Sequence, residues 1–334
     1  MSYGEESEPL AIAHRGGALL APENTLAAFA MSTALGLRYL ESDIKLTADG
    51  HLVCFHDETL DRCTTGRGRL GDWSLRDLER RVRVGGTEPI PTLEEALVSF
   101  PDACFTVDLK DRAAIAPMAR LLQRRDYAER VCVAGAWDGW LQMLASQAPH
   151  VRTALGWRSL VTLISASKAG VQPPASVVRG RFAHVPIHLG RLSIHSASLL
   201  RRAHRLGVRV VVWTVDDPAR MHELLDMGVD GIITDRPDVL RSVLIGRGVW
   251  TPMGETSERS GALGRPAGRL PLTGPGPPVH PPRRGDQQPL GRRFGFCGGV
   301  DLVFSMSARE GGTDTKWWLW QPPQAGRSRR LTAQ

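Results

Sequence analysis

Residues 40–57, LESDIKLTADGHLVCFHD, alternate acidic and apolar side chains at their start. Alternate side chains of a β-strand share a face, so Glu41 and Asp43 are expected to point the same way, about 7 Å apart along the backbone. Neighbouring carboxylates repel each other unless a cation or a proton lies between them. A turn at 48–50 then leads through a second apolar run to His56. The stretch predicts a strand pair that offers two oxygen ligands and an imidazole, with a surface hairpin bearing solvated acids as the alternative.

Strand-like and helix-like segments alternate along the first 245 residues. Eight apolar strands are predicted, each followed by a helix, at 10–13, 40–44, 104–109, 131–134, 152–155, 182–187, 209–215 and 231–234. Such alternation is typical of a parallel sheet covered by helices. It predicts an α/β fold, a (β/α)8 TIM barrel with a small insertion after strand 2. An open doubly wound sheet is the alternative, although no G-x-G-x-x-G follows the first strand.

Composition divides the chain into an N-terminal extension (1–8), a barrel domain (9–249) and a tail (250–334). The last 84 residues contain 14 Gly and 11 Pro, a composition that buries too little apolar surface to offset chain entropy. We therefore expect the tail to be largely disordered. Residues 251–334 also carry 12 Lys and Arg against 6 Asp and Glu, which accounts for most of the net charge of +7. The barrel domain is close to neutral, which argues against a nucleic-acid partner.

The sequence favours a cytoplasmic protein. It contains no run of 18 apolar residues that would predict a transmembrane segment, and its N-terminus lacks the pattern of a secretory signal. Its five cysteines are scattered and lack C-x-x-C spacing, which argues against a disulfide framework or a zinc cluster. The oligomeric state is left open.

Polar residues collect at the C-terminal ends of the predicted strands, where TIM barrels carry their active sites. Each alone has a structural interpretation, such as a solvated ion pair or a core aromatic. Taken together they predict one shared site, formed by His14, Arg15, Glu41, Asp43, His56, Asp108, Lys110, Trp213, Thr234 and Asp235.

The chemistry of these residues predicts hydrolysis of an anionic ester. The three carboxylates Glu41, Asp43 and Asp108 suit a hard divalent cation such as Mg²⁺ or Ca²⁺. An arginine and a lysine suit phosphate oxygens. Two histidines, which titrate near neutrality, can serve as base and acid.

The motifs resemble those of the glycerophosphodiester phosphodiesterase family, in the expected order over roughly residues 9–245. They are HRGxxxxxPENT at 14–25, ExD at 41–43, TxDGxxVxxHDxTLDRxT at 47–64, DLK at 108–110, WTVDD at 213–217 and DGIITDRP at 230–237. The resemblance implies a barrel that hydrolyses small-molecule glycerophosphodiesters to glycerol 3-phosphate and an alcohol with a divalent metal.

The resemblance also implies a role for each residue that matches a motif. His14 and His56 correspond to the acid/base pair, and Glu41 and Asp43 to metal ligands. Phosphate contacts and an apolar wall for the substrate correspond to Arg15, Lys110 and Trp213. Many members carry Glu-x-Lys on the third strand, whereas this chain has Asp108, one methylene shorter, which puts the metal distance and preference in doubt.

Two other functions stay open at this point. A lysophospholipase D acting on lysolipids would need an apolar rim, for which Leu19, Leu20 and Trp73 are candidates. A catalytically inactive phosphate-binding barrel is expected to lack one of the two histidines, and both are present. The sequence does not decide which histidine is the base, whether water or a substrate hydroxyl attacks, which head group is accepted or which cation is used.

Overall fold

The computed structural model describes residues 2–5, 9–174, 180–189, 192–193 and 196–253. The predicted disorder of the tail falls outside the described residues from position 254 onward. The first residues after the barrel domain lie against it, since the Met253 N–H donates a hydrogen bond to the Gly36 carbonyl over 2.9 Å.

Eight parallel strands form the predicted barrel. The strands in the described residues are β1 (Leu10–Ala13), β2 (Tyr39–Leu46), β3 (Leu52–Cys54), β4 (Cys104–Leu109), β5 (Val131–Ala134), β6 (Arg152–Thr153), β7 (Phe182–Pro186), β8 (His188–Leu189), β9 (Leu192–Ser193), β10 (Arg209–Trp213) and β11 (Gly231–Thr234). The barrel sheet runs in the order β6-β5-β4-β2-β1-β11-β10-β7, and a parallel bridge from Ala154 to Phe182 joins its two ends. Strand β3 pairs antiparallel with β2, and β8 pairs with β9.

Helices cover the outside of the barrel, and one further helix, the second along the chain, belongs to the insertion after strand 2. They are α1 (Leu26–Ala34), α2 (Leu75–Arg81), α3 (Leu93–Ser99), α4 (Ile115–Leu121), α5 (Arg125–Ala128), α6 (Asp138–Gln147), α7 (Trp157–Ala169), α8 (Ala197–Arg205), α9 (Pro218–Asp226) and α10 (Pro237–Gly246). Helix α3 begins at a capping box between Thr92 and Glu95. No helix among the described residues is long and apolar enough to cross a bilayer. The TIM-barrel prediction is confirmed.

Strand alternation separates two cores and positions the site. One set of strand residues, including Ala183 and Val185, packs outward against the helices. The other set fills the barrel interior and includes Leu10, Ile12, Tyr39, Cys104, Phe182, Val211 and Ile233. Side chains two residues apart share a face, so the interior set continues along the strands into polar residues at their C-terminal ends. These are His14, Glu41, Asp43, Asp108, His184, Trp213 and Asp235.

Tyr3 fills the interior at the N-terminal ends of the strands. It is fully buried, and its ring makes edge contacts with Tyr39 and Phe182 at centroid distances of 5.1 Å. Its hydroxyl is hydrogen-bonded to Thr106. One end of the barrel is therefore packed with aromatic side chains, while the opposite end is polar.

The insertion after β2 carries a small core of its own. This core is formed by Val53, Phe55, Leu60, Leu70, Leu78, Val82, Val84 and Ile90. Trp73 packs against this core and donates its Nε1–H to the Arg67 carbonyl. The predicted insertion is thus a folded unit whose loop 56–62 carries residues into the polar end of the barrel.

Candidate active site

The two acidic residues of β2 lie buried at the polar end of the barrel. Glu41 is 5% exposed and Asp43 is 2% exposed. Burial and, next, the negative charge of Asp43 raise the pKa of Glu41 to about 7. Burial opposes ionisation of Asp43 as well, but Lys110 and Arg15 hold its pKa well below the usual range. The pKa values of the two adjacent carboxylates are therefore shifted in opposite directions, because Lys110 and Arg15 stabilise the charged form of Asp43.

A tight turn after β1 aims Arg15 at these carboxylates. Arg15 has a φ of 49°, in the left-handed region, and its backbone N–H donates to Glu41 Oε2 over 2.8 Å. Its Nη1 donates to Glu23 Oε1 over 2.9 Å, and its Nε lies 3.2 Å from Asp43 Oδ2 as an ion pair without hydrogen-bond geometry. Gly16 packs so closely under the turn that a Cβ there would lie 2.7 Å from the Phe29 ring. The turn thus requires glycine beside the arginine.

Asn24 fixes the orientation of Asp43. Its Nδ2 donates to Asp43 Oδ2 over 3.1 Å, and its Oδ1 accepts from Ser42 Oγ over 2.7 Å. The predicted site does not include Asn24, although Asn24 lies in the motif HRGxxxxxPENT. In the structure Thr25 caps α1, and Asn24, with a φ of 58°, belongs to the site.

Lys110 connects two strands at this end. Its Nζ lies 2.6 Å from Asp108 Oδ2 and 3.0 Å from Asp43 Oδ1. Asp43 and Asp108 are register partners on β2 and β4, so their side chains emerge side by side. Burial lowers the pKa of Lys110, but the two carboxylates outweigh it and raise the pKa well above the ordinary value. The group is therefore an ammonium at neutral pH.

Each of the two predicted acid/base histidines has a carboxylate partner. His14 Nδ1 lies 2.7 Å from Asp235 Oδ1, and His14 Nε2 lies 4.0 Å from Glu41 Oε2. Burial lowers the pKa of His14, but Asp235 and Glu41 outweigh it and raise the pKa. Asp235 is itself held in place, because its backbone N–H donates to Asp216 Oδ1 over 2.8 Å.

An arginine of the insertion connects the second histidine to the rest of the site. His56 Nδ1 lies 2.6 Å from Asp57 Oδ1, and Arg62 pairs with Asp57. Arg62 also donates from Nη1 to Glu23 Oε2 over 2.9 Å, and Glu23 accepts from Arg15. The charges of both His14 and His56 help to lower the pKa of Asp43, so the two imidazoles share one end of the barrel.

Trp213 stands at the mouth of the site. It ends β10, two residues after the inward-facing Val211, and is 36% exposed. His184 on β7 also faces the interior, although the sequence prediction omits it. A lone polar residue at the inward position of the apolar strand FAHVP is the signal that could have identified it.

The donors at this end match a hard divalent cation in type, because Glu41, Asp43 and Asp108 all offer carboxylate oxygens. Within the described residues, however, no group of three His, Cys, Asp or Glu is arranged to hold a metal ion. Lys110 already pairs with Asp43 and Asp108. The three predicted ligands thus have the oxygen donors that such a cation prefers, but their side chains would have to rearrange to coordinate one.

Comparison with protein families identifies the class of this barrel. The family model described as "Glycerophosphoryl diester phosphodiesterase family" matches residues 14–239. The chain therefore belongs to the glycerophosphoryl diester phosphodiesterase family, and its enzyme class is that of the phosphoric diester hydrolases.

Two curated relatives cover most of the barrel. "Probable glycerophosphodiester phosphodiesterase 2" of Mycobacterium tuberculosis is 36% identical over 246 residues, which is 72% of this chain and 92% of the relative. The glycerophosphodiester phosphodiesterase of Caldanaerobacter subterraneus subsp. tengcongensis is 31% identical over 250 residues, 69% of this chain and 96% of the relative.

Solved structures show the same fold. A glycerophosphodiester phosphodiesterase from Agrobacterium tumefaciens is 25% identical, with a TM-score of 0.58, and the match covers 69% of this chain and 97% of the other. An Oleispira antarctica phosphodiesterase, solved in complex with its product sn-glycerol-3-phosphate, is 22% identical with a TM-score of 0.59. That match covers 71% of this chain and 97% of the other.

Proposed function

We propose that the protein hydrolyses glycerophosphodiesters to glycerol 3-phosphate and an alcohol, with His14 and His56 as the acid/base pair. The names of the relatives support this substrate class. The observation that carries the proposal is that two imidazoles, each hydrogen-bonded to a carboxylate, lie at the same end of the barrel as two cations. These groups meet the needs of a reaction that binds an anion and moves two protons.

Arg15 and Lys110 bind and orient the phosphodiester. The lysine ammonium has three N–H donors, and the structure assigns two of them to Asp108 and Asp43. A phosphoryl oxygen can take the third, while the arginine supplies planar N–H donors beside it. Because both cations are fixed before the substrate arrives, they stabilise the charge that builds on the phosphoryl oxygens in the transition state.

The two histidines move the protons. Each carboxylate partner accepts from an imidazole Nδ1–H and thereby leaves Nε2 free to exchange a proton. One imidazole takes the proton of the attacking hydroxyl or water, and the other gives a proton to the departing alkoxide. Each transfer contributes roughly 10²–10⁴-fold to the rate.

Metal dependence is part of the proposal. The carboxylates of Glu41, Asp43 and Asp108 would hold Mg²⁺ or Ca²⁺, and repulsion between the first two supports a cation between them. When bound, such an ion polarises the phosphoryl oxygens as a Lewis acid. Lys110 then has to share Asp43 and Asp108 with the ion.

A product analysis tests the reaction. Enzyme dialysed against EDTA is incubated with glycerophosphocholine in buffer containing Mg²⁺, Ca²⁺ or neither, and the products are quantified. We expect glycerol 3-phosphate and choline in equal amounts when a cation is present. Phosphocholine and glycerol would show that the other ester bond breaks. Binding of glycerol 3-phosphate without turnover of any glycerophosphodiester would favour the phosphate-binding barrel.

Lysophospholipase D activity is a second candidate, supported by exposed apolar side chains on loops after the barrel strands. Leu19, between β1 and α1, is 63% exposed, and Trp137, between β5 and α6, is 47% exposed. Trp73, another residue predicted for this rim, instead packs on the insertion core. Turnover of lysophosphatidylcholine in parallel with glycerophosphocholine distinguishes the two substrate classes.

A cytoplasmic location remains a prediction. Its support in the structure is that Cys54, Cys63, Cys104 and Cys132 are all free thiols, as expected in a reducing compartment. The predicted absence of a nucleic-acid partner also stays a prediction.

A further inference from the structure

His184 faces the barrel interior at the polar end. Its neighbours Ala183 and Val185 belong to the outer core, whereas Phe182, two residues earlier, belongs to the interior core. Its register partner on β10 is Val211, which also faces inward. Alternation along β7 and register with β10 therefore agree on the direction of this side chain.

The imidazole of His184 has one nitrogen that is buried without a partner. Its Nε2 is shielded from solvent and makes no hydrogen bond within the part of the chain that the structure describes. Buried polar atoms are nearly always hydrogen-bonded, so an exception calls for an explanation. The negative charge of Asp108, the ion-pair partner of Lys110, acts on this imidazole, as expected for a ring that faces the same polar interior.

The imidazole is suited to a neutral partner. Burial lowers the pKa of His184 to about 4, and the opposing effect of Asp108 is smaller. The ring is therefore uncharged at neutral pH and contributes a hydrogen bond rather than a positive charge. The phosphate already has Arg15 and Lys110, which leaves the two glycerol hydroxyls as the uncharged polar groups that all glycerophosphodiesters share.

Depth decides which end of the substrate His184 meets. Trp213 aligns with Pro186, two residues beyond His184 toward the mouth of the barrel, and is partly exposed where His184 Nε2 is not. The invariant and small part of the substrate class is glycerol, and the variable part is the alcohol. A closed position in the barrel interior suits glycerol, and the open mouth of the barrel suits the variable alcohol.

On the basis of the proposed function, we propose that Nε2 of His184 hydrogen-bonds a hydroxyl of the glycerol moiety. Glycerol then lies innermost in the barrel, with the alcohol directed toward solvent past Trp213. His184 is in this account a specificity-determining residue, because a substrate that lacks the hydroxyl leaves its nitrogen unpaired.

Paired changes in enzyme and substrate test the contact. The variants are His184→Leu, His184→Gln, which retains a polar amide, and His150→Leu, a histidine-to-leucine change at an exposed turn. The substrates are glycerophosphocholine and the phosphocholine esters of propane-1,2-diol and propane-1,3-diol, each of which lacks one glycerol hydroxyl. Thermal melting identifies the variants that fold.

We expect His184→Leu to lower kcat/KM for glycerophosphocholine about 10- to 100-fold, the range for a lost hydrogen bond in a buried site. One of the two deoxy substrates lacks the hydroxyl that His184 contacts, and for that substrate the kcat/KM values of wild type and His184→Leu should agree within about threefold. For glycerophosphocholine, the kcat/KM of His184→Gln should lie between those of wild type and His184→Leu, and that of His150→Leu should match wild type. An equal loss on all three substrates, or no loss on any, would overturn the assignment. Wild type that turns over no glycerophosphodiester would overturn the proposed function, and this contact with it.

Discussion

The hydrogen bond between Asp235 and His14 offers a direct way to perturb one imidazole without removing it. Asparagine at position 235 keeps the size of the side chain but removes its negative charge. The backbone N–H of residue 235 remains bonded to Asp216, so the replacement should occupy the same place. We predict that Asp235→Asn lowers kcat about 10- to 100-fold and shifts the pH–rate profile.

The magnitude follows from the geometry of the pair. The nitrogen and oxygen are 2.7 Å apart, and the side chains are 17% and 24% exposed, so solvent screens the interaction only weakly. Hydrogen bonds to charged groups contribute about 1.5–3 kcal/mol, and each 1.4 kcal/mol corresponds to about tenfold in rate. Asp235 opposes the effect of burial on the His14 pKa, so its loss lowers that pKa. The limb of the profile that belongs to His14 moves to lower pH, whichever of the two roles His14 has.

The assay is steady-state turnover of glycerophosphocholine from about pH 5 to about pH 9. Asp238→Asn is a suitable control, because Asp238 pairs with Arg236 close by in sequence but not with His14. Unchanged kcat and unchanged limbs in Asp235→Asn would refute the positioning of His14 by this carboxylate.

Three further predictions concern stability and the cation. Between pH 7 and pH 5, His184 should lower the free energy of unfolding by about 2 kcal/mol, because the unfolded imidazole takes up a proton that the folded one, with a pKa of about 4, does not. Urea titrations at both pH values should show this loss in wild type and not in His184→Leu; equal losses would contradict the burial of the ring. Tyr3→Ala should cost about 3–5 kcal/mol and Tyr3→Phe about 1–2 kcal/mol by urea unfolding, since the first removes a buried ring and the second only its bond to Thr106. A Tyr3→Ala variant as stable as wild type would show that packing of the N-terminal segment in the barrel does not contribute to stability. Thorough chelation should abolish turnover and added Mg²⁺ or Ca²⁺ should restore it, whereas full activity without cation would remove the metal from the proposal.

The barrel could be predicted from the sequence because its determinants are local. Each strand is a short apolar run between turn signals, and the inward positions that turn polar at the C-terminal ends follow from a period of two. The same periodicity places Glu41 and Asp43 side by side, and the register of β2 and β4 adds Asp108. These placements need no knowledge of distant contacts.

The remaining features depend on contacts between distant segments. Arg62 joins Asp57 to Glu23, and nothing in the local pattern of the loop indicates that second partner. Tyr3 belongs to an acidic segment that composition assigns to an extension, yet it is buried because the barrel offers an aromatic cavity between Tyr39 and Phe182. Tyr127 is a further example, since a separate turn of helix after α4, α5 (Arg125–Ala128), brings it into the core.

The proposed reaction depends most directly on the two imidazoles. The decisive measurement is the rate of glycerol 3-phosphate release from glycerophosphocholine by wild type, His14→Gln and His56→Gln, each verified by circular dichroism and thermal melting. We predict that both variants fold and that their turnover falls at least about 100-fold. Either variant that releases glycerol 3-phosphate at the wild-type rate would contradict the assignment of that histidine to proton transfer.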